Sequence, residues 1–267
     1  MIYSTITLER DGGLALLTLN RPEKMNSLSD ALLADMKTAM DELETDEAVR
    51  ALIITGSGKA FSAGFDIAPR EKPRASVQDW RAHAKDGNDT WFRIWNSRLP
   101  VVAAVNGYCL GGGCDLAMVC DVTIAADTAQ FGEPEIEFGS APPFLIMPWV
   151  LGMKHTKELL LLGERVGAHE AHRIGLVNRV VPSAELLPEA RKIGLRLARL
   201  PAVAIKQNKE MINRAYELRG LAATIEYGKE MFCLISMSQT PEGQEFRKIA
   251  RERGLKAAIR WRDERFK

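Results

Sequence analysis

Long apolar runs, closely paired cysteines and a dominant charge are all missing from this 267-residue chain. Its longest apolar stretches, such as 142–152, fall short of the roughly 20 residues that cross a bilayer, so no membrane partner is expected. Residues 1–10 lack the basic-then-apolar pattern of a secretory leader, and the expected location is the cytoplasm. Only four cysteines occur, Cys109, Cys114, Cys120 and Cys233. They form no short paired spacings and no histidine follows at ligand distance, which predicts reduced thiols and no metal site. Cys114 falls near a predicted helix start, where a thiol pKa is lowered, but a small apolar helix residue is the simpler reading. The four histidines, His83, His155, His169 and His172, have no serine or cysteine motif beside them, which points to surface or capping roles. A net charge of +1 supplies no field for gathering nucleic acid, so neither DNA nor RNA is an expected partner. No fixed-period repeat or low-complexity tract is present.

What is present is enough apolar material, 46% of residues, to bury one large core or a core plus a small appended domain. Alternating β-rich runs at 5–9 and 14–20 flank Asp11-Gly12-Gly13 and predict a hairpin. Leu32, Leu33, Met36, Met40 and Leu43 then share one helical face, with Ser27 or Ser29 as the cap. Residues 51–55 read as a buried strand and 67–98 as a mobile loop leading into a helix. On that helix Trp91 and Trp95 share a face: core packing is the plain expectation, and a substrate-lining role for Trp91 the sharper one. Residues 122–125 read as a strand and 129–135 as a loop. From residue 154 onward the pattern is nearly all helical, punctuated at Pro201 and at Gln239-Thr240-Pro241.

The chain is organised around 99–121. Residues 101–105 suit a strand buried on both faces, and Asn106-Gly107 breaks it. Gly111, Gly112 and Gly113 then open a helix whose first N–H groups have no intrahelical acceptor and therefore attract negative charge. Asp115 lies in the first turn of that helix, either as a cap or as a functional carboxylate. The spacing of Gly107, Gly111 and Gly113 does not make the Gly-x-Gly-x-x-Gly of a dinucleotide fold.

Five ordered motifs now carry a resemblance over nearly the whole chain: Asn20-Arg-Pro-Glu-Lys-Met-Asn-Ser-Leu28, Ala60-Phe-Ser-Ala-Gly-Phe-Asp-Ile67, Val105-Asn-Gly-Tyr-Cys-Leu-Gly-Gly-Gly-Cys-Asp115, Phe131-Gly-Glu-Pro-Glu-Ile136 and Gly175-Leu-Val-Asn-Arg-Val-Val-Pro182. The chain resembles the crotonase superfamily of enoyl-CoA hydratases and isomerases. The resemblance implies an α/β fold, a crotonase-like spiral of ββα units in 1–200. It also implies a C-terminal helical trimerisation region in 201–267 and a homotrimer or dimer of trimers. The implied function is that of an enoyl-CoA hydratase-like lyase on an acyl-CoA thioester, with an isomerase, an acyl-CoA hydrolase or a noncatalytic acyl-CoA-binding protein as alternatives.

The same resemblance assigns roles. The backbone N–H groups of Phe65 and Gly112 would stabilise a thioester enolate oxygen, and Asp115 and Glu135 would activate water and deliver a proton. No metal or redox cofactor is implied, because coenzyme A enters as part of the substrate. Its expected binding segment comprises Lys24, Met25, Asn26, the Ala63 carbonyl, Asp66 and Ile67, with Lys24 either meeting a phosphate or simply solvated. Basic residues of 245–267 in a neighbouring subunit are expected to contribute, though none is singled out. Two departures matter. Hydratases of this family carry Glu where this chain has Asp115, one methylene or roughly 1.5 Å shorter. Their Gly-Gly-Thr-Gln segment is replaced by 142–148, and Pro143 stands where dienoyl isomerases keep an acid. Glu133 and Glu137 remain candidate acids, although their alternation about Glu135 favours exposed or structural roles for both.

Overall fold

In this computed structural model, residues 2–69, 72, 74–238 and 240–266 are described. Within the stretch 67–98, read as a mobile loop leading into a helix, Arg70, Glu71 and Pro73 lie outside the described residues, as does Gln239 of the second punctuation. The strands are β1 (Ile6–Asp11), β2 (Leu14–Leu19), β3 (Ala51–Gly56), β4 (Ala60–Ser62), β5 (Val101–Val105), β6 (Tyr108–Leu110), β7 (Val122–Ala126), β8 (Gln130–Gly132), β9 (Val166–Gly167) and β10 (Arg179–Val181). The helices are α1 (Asp30–Thr45), α2 (Val77–Trp95), α3 (Gly112–Val119), α4 (Met147–Val150), α5 (Met153–Leu162), α6 (Ala168–Arg173), α7 (Leu186–Arg199), α8 (Ala202–Leu218), α9 (Leu221–Met237), α10 (Pro241–Arg253) and α11 (Leu255–Glu264).

Two sheets form, in the orders β1-β2-β3-β5-β7-β10 and β4-β6-β8-β9. Successive strands alternate between them: β3, β5 and β7 enter the first sheet, and β4, β6 and β8 the second. Each strand pair is followed by a helical segment, so the chain advances as a spiral of ββα turns. Parallel pairing holds throughout apart from the β1–β2 hairpin and the β8–β9 edge. The central strands β2, β3, β5 and β7 are buried on both faces, as their continuous apolar runs require, while the edge strands β1 and β10 are partly exposed. Leu17, Leu19, Leu52, Ile54, Val101, Ala103 and Val105 face the main core, while Leu14, Leu16, Ile53, Val102, Ala104 and Ile124 face the amphipathic α7.

Local signals explain most boundaries. The Ser29 hydroxyl accepts from Leu32 N–H and starts α1, while Ser76 and Asp79 cap α2 reciprocally. Two loop assignments fail. Residues 108–110, passed over as part of a glycine turn, and 130–132, read as loop, are strands of the second sheet. Both are three residues long, too short for alternation to register in sequence. The region after residue 154 likewise holds two short strands, β9 and β10, among its helices.

Candidate active site

The Met25–Leu28 and Ala63–Asp66 segments run side by side, joined by Ala63 N–H to Met25 O (3.0 Å), Leu28 N–H to Gly64 O (2.9 Å) and Asp66 N–H to Leu28 O (3.2 Å). Met25 and Asn26 are both in the left-handed region, φ 52° and 53°. Such a pair needs support, and Asn26 supplies it: its Oδ1 accepts from Arg21 N–H, and its Nδ2 donates to the Ser57 and Ala60 carbonyls. Asn26 is fully buried and spends its side chain on the loop, so any substrate contact there belongs to its backbone. Lys24 and Ile67 are exposed. Asp66 is half-buried and pairs with Arg21 (3.4 Å), whose guanidinium also donates to Ser27 O. Arg21 is a site residue that the motif Asn20-Arg-Pro contained but residue type alone did not single out.

Gly64 brings this loop against the start of α3. With φ +88°, it packs so that a Cβ added there would sit 2.7 Å from Leu110 O and 3.3 Å from Gly112 N. The peptide carrying Phe65 N–H is therefore beside the peptide carrying Gly112 N–H. Among the described residues neither N–H has an acceptor within the protein. The Phe65 ring covers Gly112 and lies against Gly87 of α2, meeting His83 edge-on at 5.2 Å.

Asp115 projects from α3 and is 1% exposed. It is not a cap, since no side chain bonds the N-terminus of α3, and its Oδ2 has no partner. Glu135 projects from a short 3-10 turn, Pro134–Phe138, that follows β8. Its carboxyl lies against the Gly111 Cα: a Cβ at Gly111, whose φ is +52°, would collide with Oε1. The Glu135 residue as a whole is half-buried, yet Oε2 is sealed from solvent without a partner. Burial pushes Glu135 up to about 7, while burial and then the Glu135 charge push Asp115 well above the usual carboxylate range. A pocket holding two such groups is suited to keeping one proton between them.

Of the roles open to Glu133, candidate acid, structural or exposed, the structure excludes the exposed one, because residues 134–138 turn as a 3-10 helix and period two does not apply. Glu133 is instead 1% exposed beside Asp115 and Glu135, and neither of its oxygens has a partner. Glu137 is half-buried and ion-paired with Arg262 of α11, 3.1 Å away, a residue for which the sequence offered no signal.

α2 meets the 142–148 segment through Asn88 Nδ2 to Pro143 O (3.3 Å) and the Phe92–Phe144 ring pair (5.4 Å). Trp91 is fully buried in the main core. Cys114 is buried too, and the Cys109 thiol together with burial raises its pKa rather than lowering it. His155 pairs with Glu158, and His172 contacts the Val177 carbonyl. Among the described residues no His, Cys, Asp and Glu cluster has metal-binding geometry.

The sequence and the fold as a whole are similar to those of known proteins. Residues 9–248 match the sequence model of the enoyl-CoA hydratase/isomerase family, and the chain belongs to that family. A probable enoyl-CoA hydratase of Mycobacterium bovis is 42% identical over 235 residues, 87% of this chain and 90% of that protein. A crotonyl-CoA hydratase of Syntrophomonas wolfei is 42% identical over 221 residues, covering 81% and 84%. The crystal structure of an enoyl-CoA hydratase/isomerase from Xanthobacter autotrophicus superposes with a TM-score of 0.96 at 42% identity, covering all of both chains.

Proposed function

We propose that the protein is a lyase that adds water to a 2-enoyl-CoA thioester. The observation that carries this reading is the placement of two carboxyls, Asp115 and Glu135, each with a buried oxygen that has no partner, beside the unpartnered N–H groups of Phe65 and Gly112. The thioester oxygen accepts from those two N–H groups, which are already oriented and stabilise the charge that develops there. Ionised Asp115 takes a proton from water as the oxygen bonds to the β-carbon. Glu135 delivers its proton to the α-carbon. A proton then passes from Asp115 back to Glu135, so the net addition is one water and no oxidant or reductant is consumed. The hydratase names of relatives at about 40% identity support the assignment.

The coenzyme A portion lies along Lys24, Met25 and Asn26, the Ala63 carbonyl, Asp66 and Ile67, and no separate cofactor takes part. Exposed Val203, Met211, Ile212 and Leu218 on α8 and Tyr227 and Leu234 on α9 support a homotrimer or dimer of trimers. Light scattering of the purified 29.6 kDa chain is then expected to return three or six subunits, and a monomer would overturn that part. No helix among the described residues is long and apolar enough to cross a membrane. A cytoplasmic role in fatty acid metabolism completes the reading.

The decisive experiment follows loss of enoyl absorbance with straight, branched and cyclic 2-enoyl-CoA thioesters. Saturable loss with at least one member is expected. A flat trace with every member overturns the assignment.

A further inference from the structure

Glu133 enters the acid pocket from a third direction. Asp115 comes from α3, Glu135 from the 3-10 turn, and Glu133 from the end of β8, where Gly111 N–H to Gly132 O (2.8 Å) fastens that strand to the start of α3. The titratable groups facing it are Asp115 and Cys114 of α3, Cys109 of β6 and Glu135 of the turn. Of the cations nearby, Arg262 of α11 acts on Glu135 and pairs with Glu137, and Arg165 also acts on Glu137.

An ionised carboxylate in this position would be buried without a donor, which costs several kcal/mol even after relaxation. A protonated one avoids most of that cost. Protonation also changes what the side chain can do, because a carboxylic acid has an O–H to give where a carboxylate can only accept. Glu135 has an unpartnered oxygen, Oε2, to receive it. Burial first, then the Asp115 and Glu135 charges, push Glu133 well above the usual range, which agrees with a neutral group.

We propose that Glu133 is a positioning residue for hydration, a neutral carboxylic acid that donates a hydrogen bond to Glu135 and fixes the orientation from which Glu135 moves its proton. The proposal rests on the hydratase reading above. When Glu135 gives its proton to the α-carbon it becomes an anion, and the Glu133 O–H bond to it becomes charge-assisted and stronger. Glu133 keeps its own proton throughout, so no proton is created or lost by its participation. The interaction is worth most after proton transfer, so it acts on kcat and leaves KM nearly unchanged.

Two variants test this. Glu133→Gln keeps the shape and a neutral donor, and is expected to hold kcat within about threefold and to leave the alkaline limb of the pH profile in place. Glu133→Leu removes the donor, and is expected to lower kcat by about 10- to 100-fold and to move that limb to higher pH, because the ionised form of Glu135 loses its donor. Loss of activity in Glu133→Gln as deep as in Glu133→Leu overturns the proposal, as does an unchanged limb in Glu133→Leu. A second readout does not depend on turnover or on the folding of the leucine variant. At pH 8.5 the infrared difference between wild type and Glu133→Gln is expected to contain the carbonyl band of a protonated carboxyl. Carboxylate bands alone in that difference overturn the proposal. Failure of the hydratase reading would show separately, as wild-type protein inert toward every enoyl thioester.

Discussion

Arg262, on the last helix, holds its Nε 3.1 Å from Glu137 Oε2 on the turn that carries Glu135, with only 6% and 15% of the two side chains exposed. The contact is an ion pair whose geometry falls short of a hydrogen bond, since the guanidinium also donates to Asp263. Phe138 stacks on Phe246 at 5.4 Å beside it. The C-terminal helices thus brace the turn that carries Glu135 within one chain. Glu137 is raised by burial, then lowered by Arg262, so the pairing offsets part of the cost of a buried charge.

Arg262→Met leaves Glu137 buried without its cation. Destabilisation by about 3–5 kcal/mol is expected in urea unfolding, as for other broken buried pairs. Adding Glu137→Gln should restore part of it. A single variant as stable as wild type would show that the pair does not brace the turn.

Asp115 and Glu135 separate two chemistries. Glu135→Gln should abolish both hydration and exchange of the product's α-proton with deuterated water, because the proton donor is gone. Asp115→Asn should cripple hydration yet leave some exchange, since Glu135 and the Phe65 and Gly112 N–H groups remain. Coenzyme A binding should survive in both. Hydration at the wild-type rate by Asp115→Asn would favour a one-acid isomerisation through Glu135.

Gly111→Ala tests the seat of Glu135. A methyl group there is strained at φ +52° and collides with the Glu135 carboxyl. Displacement of that group by even 1 Å should lower kcat by about 10²-fold while circular dichroism stays native. Gly112→Pro deletes a donor N–H, but its Cβ would also push the Phe65 ring, 2.6 Å away at its nearest atom. Its expected loss, at least about 10²–10³-fold, therefore combines donor removal and ring displacement. Wild-type turnover by Gly111→Ala would unseat the assigned geometry.

Acidity should act on rate and stability together. Glu135 is raised from 4.5 to about 7, so between those values the folded protein holds a proton that the unfolded chain releases. Its stabilising contribution is complete below about 4.5 and lost as pH rises through 7. Asp35, Glu42 and Glu189 are lowered instead, and their contributions vanish only in acid, well below this window. Tm should therefore fall between pH 5.5 and 8 more steeply in wild type than in Glu135→Gln. Hydration needs protonated Glu135, so kcat/KM in that direction should decline above about pH 7. An identical Tm slope in the two proteins would contradict the raised value.

Some of this was legible in the linear chain because its signals are local. Hairpin turn chemistry at Gly12-Gly13, the cap at Ser29 and apolar periodicity in α1 and α7 each act within a few residues. The five motifs were enough to identify the family and to nominate Asp115, Glu135, Phe65 and Gly112. Whether those groups meet is a matter of distant segments, and only the spiral packing lays 63–66 against the start of α3. The same packing made Glu133 a buried acid. Alternation left Glu133 between an exposed, a structural and an acid role, yet a 3-10 turn redirects the side chains after it and Asp115 and Cys114 of α3 lie close to it. Arg262 carried no signal at all, because its partner lies 125 positions earlier in the chain. Residue type and short-range spacing determined which groups were available for chemistry. Burial, which sets their protonation, depends on everything packed around them and was decided by the tertiary structure alone.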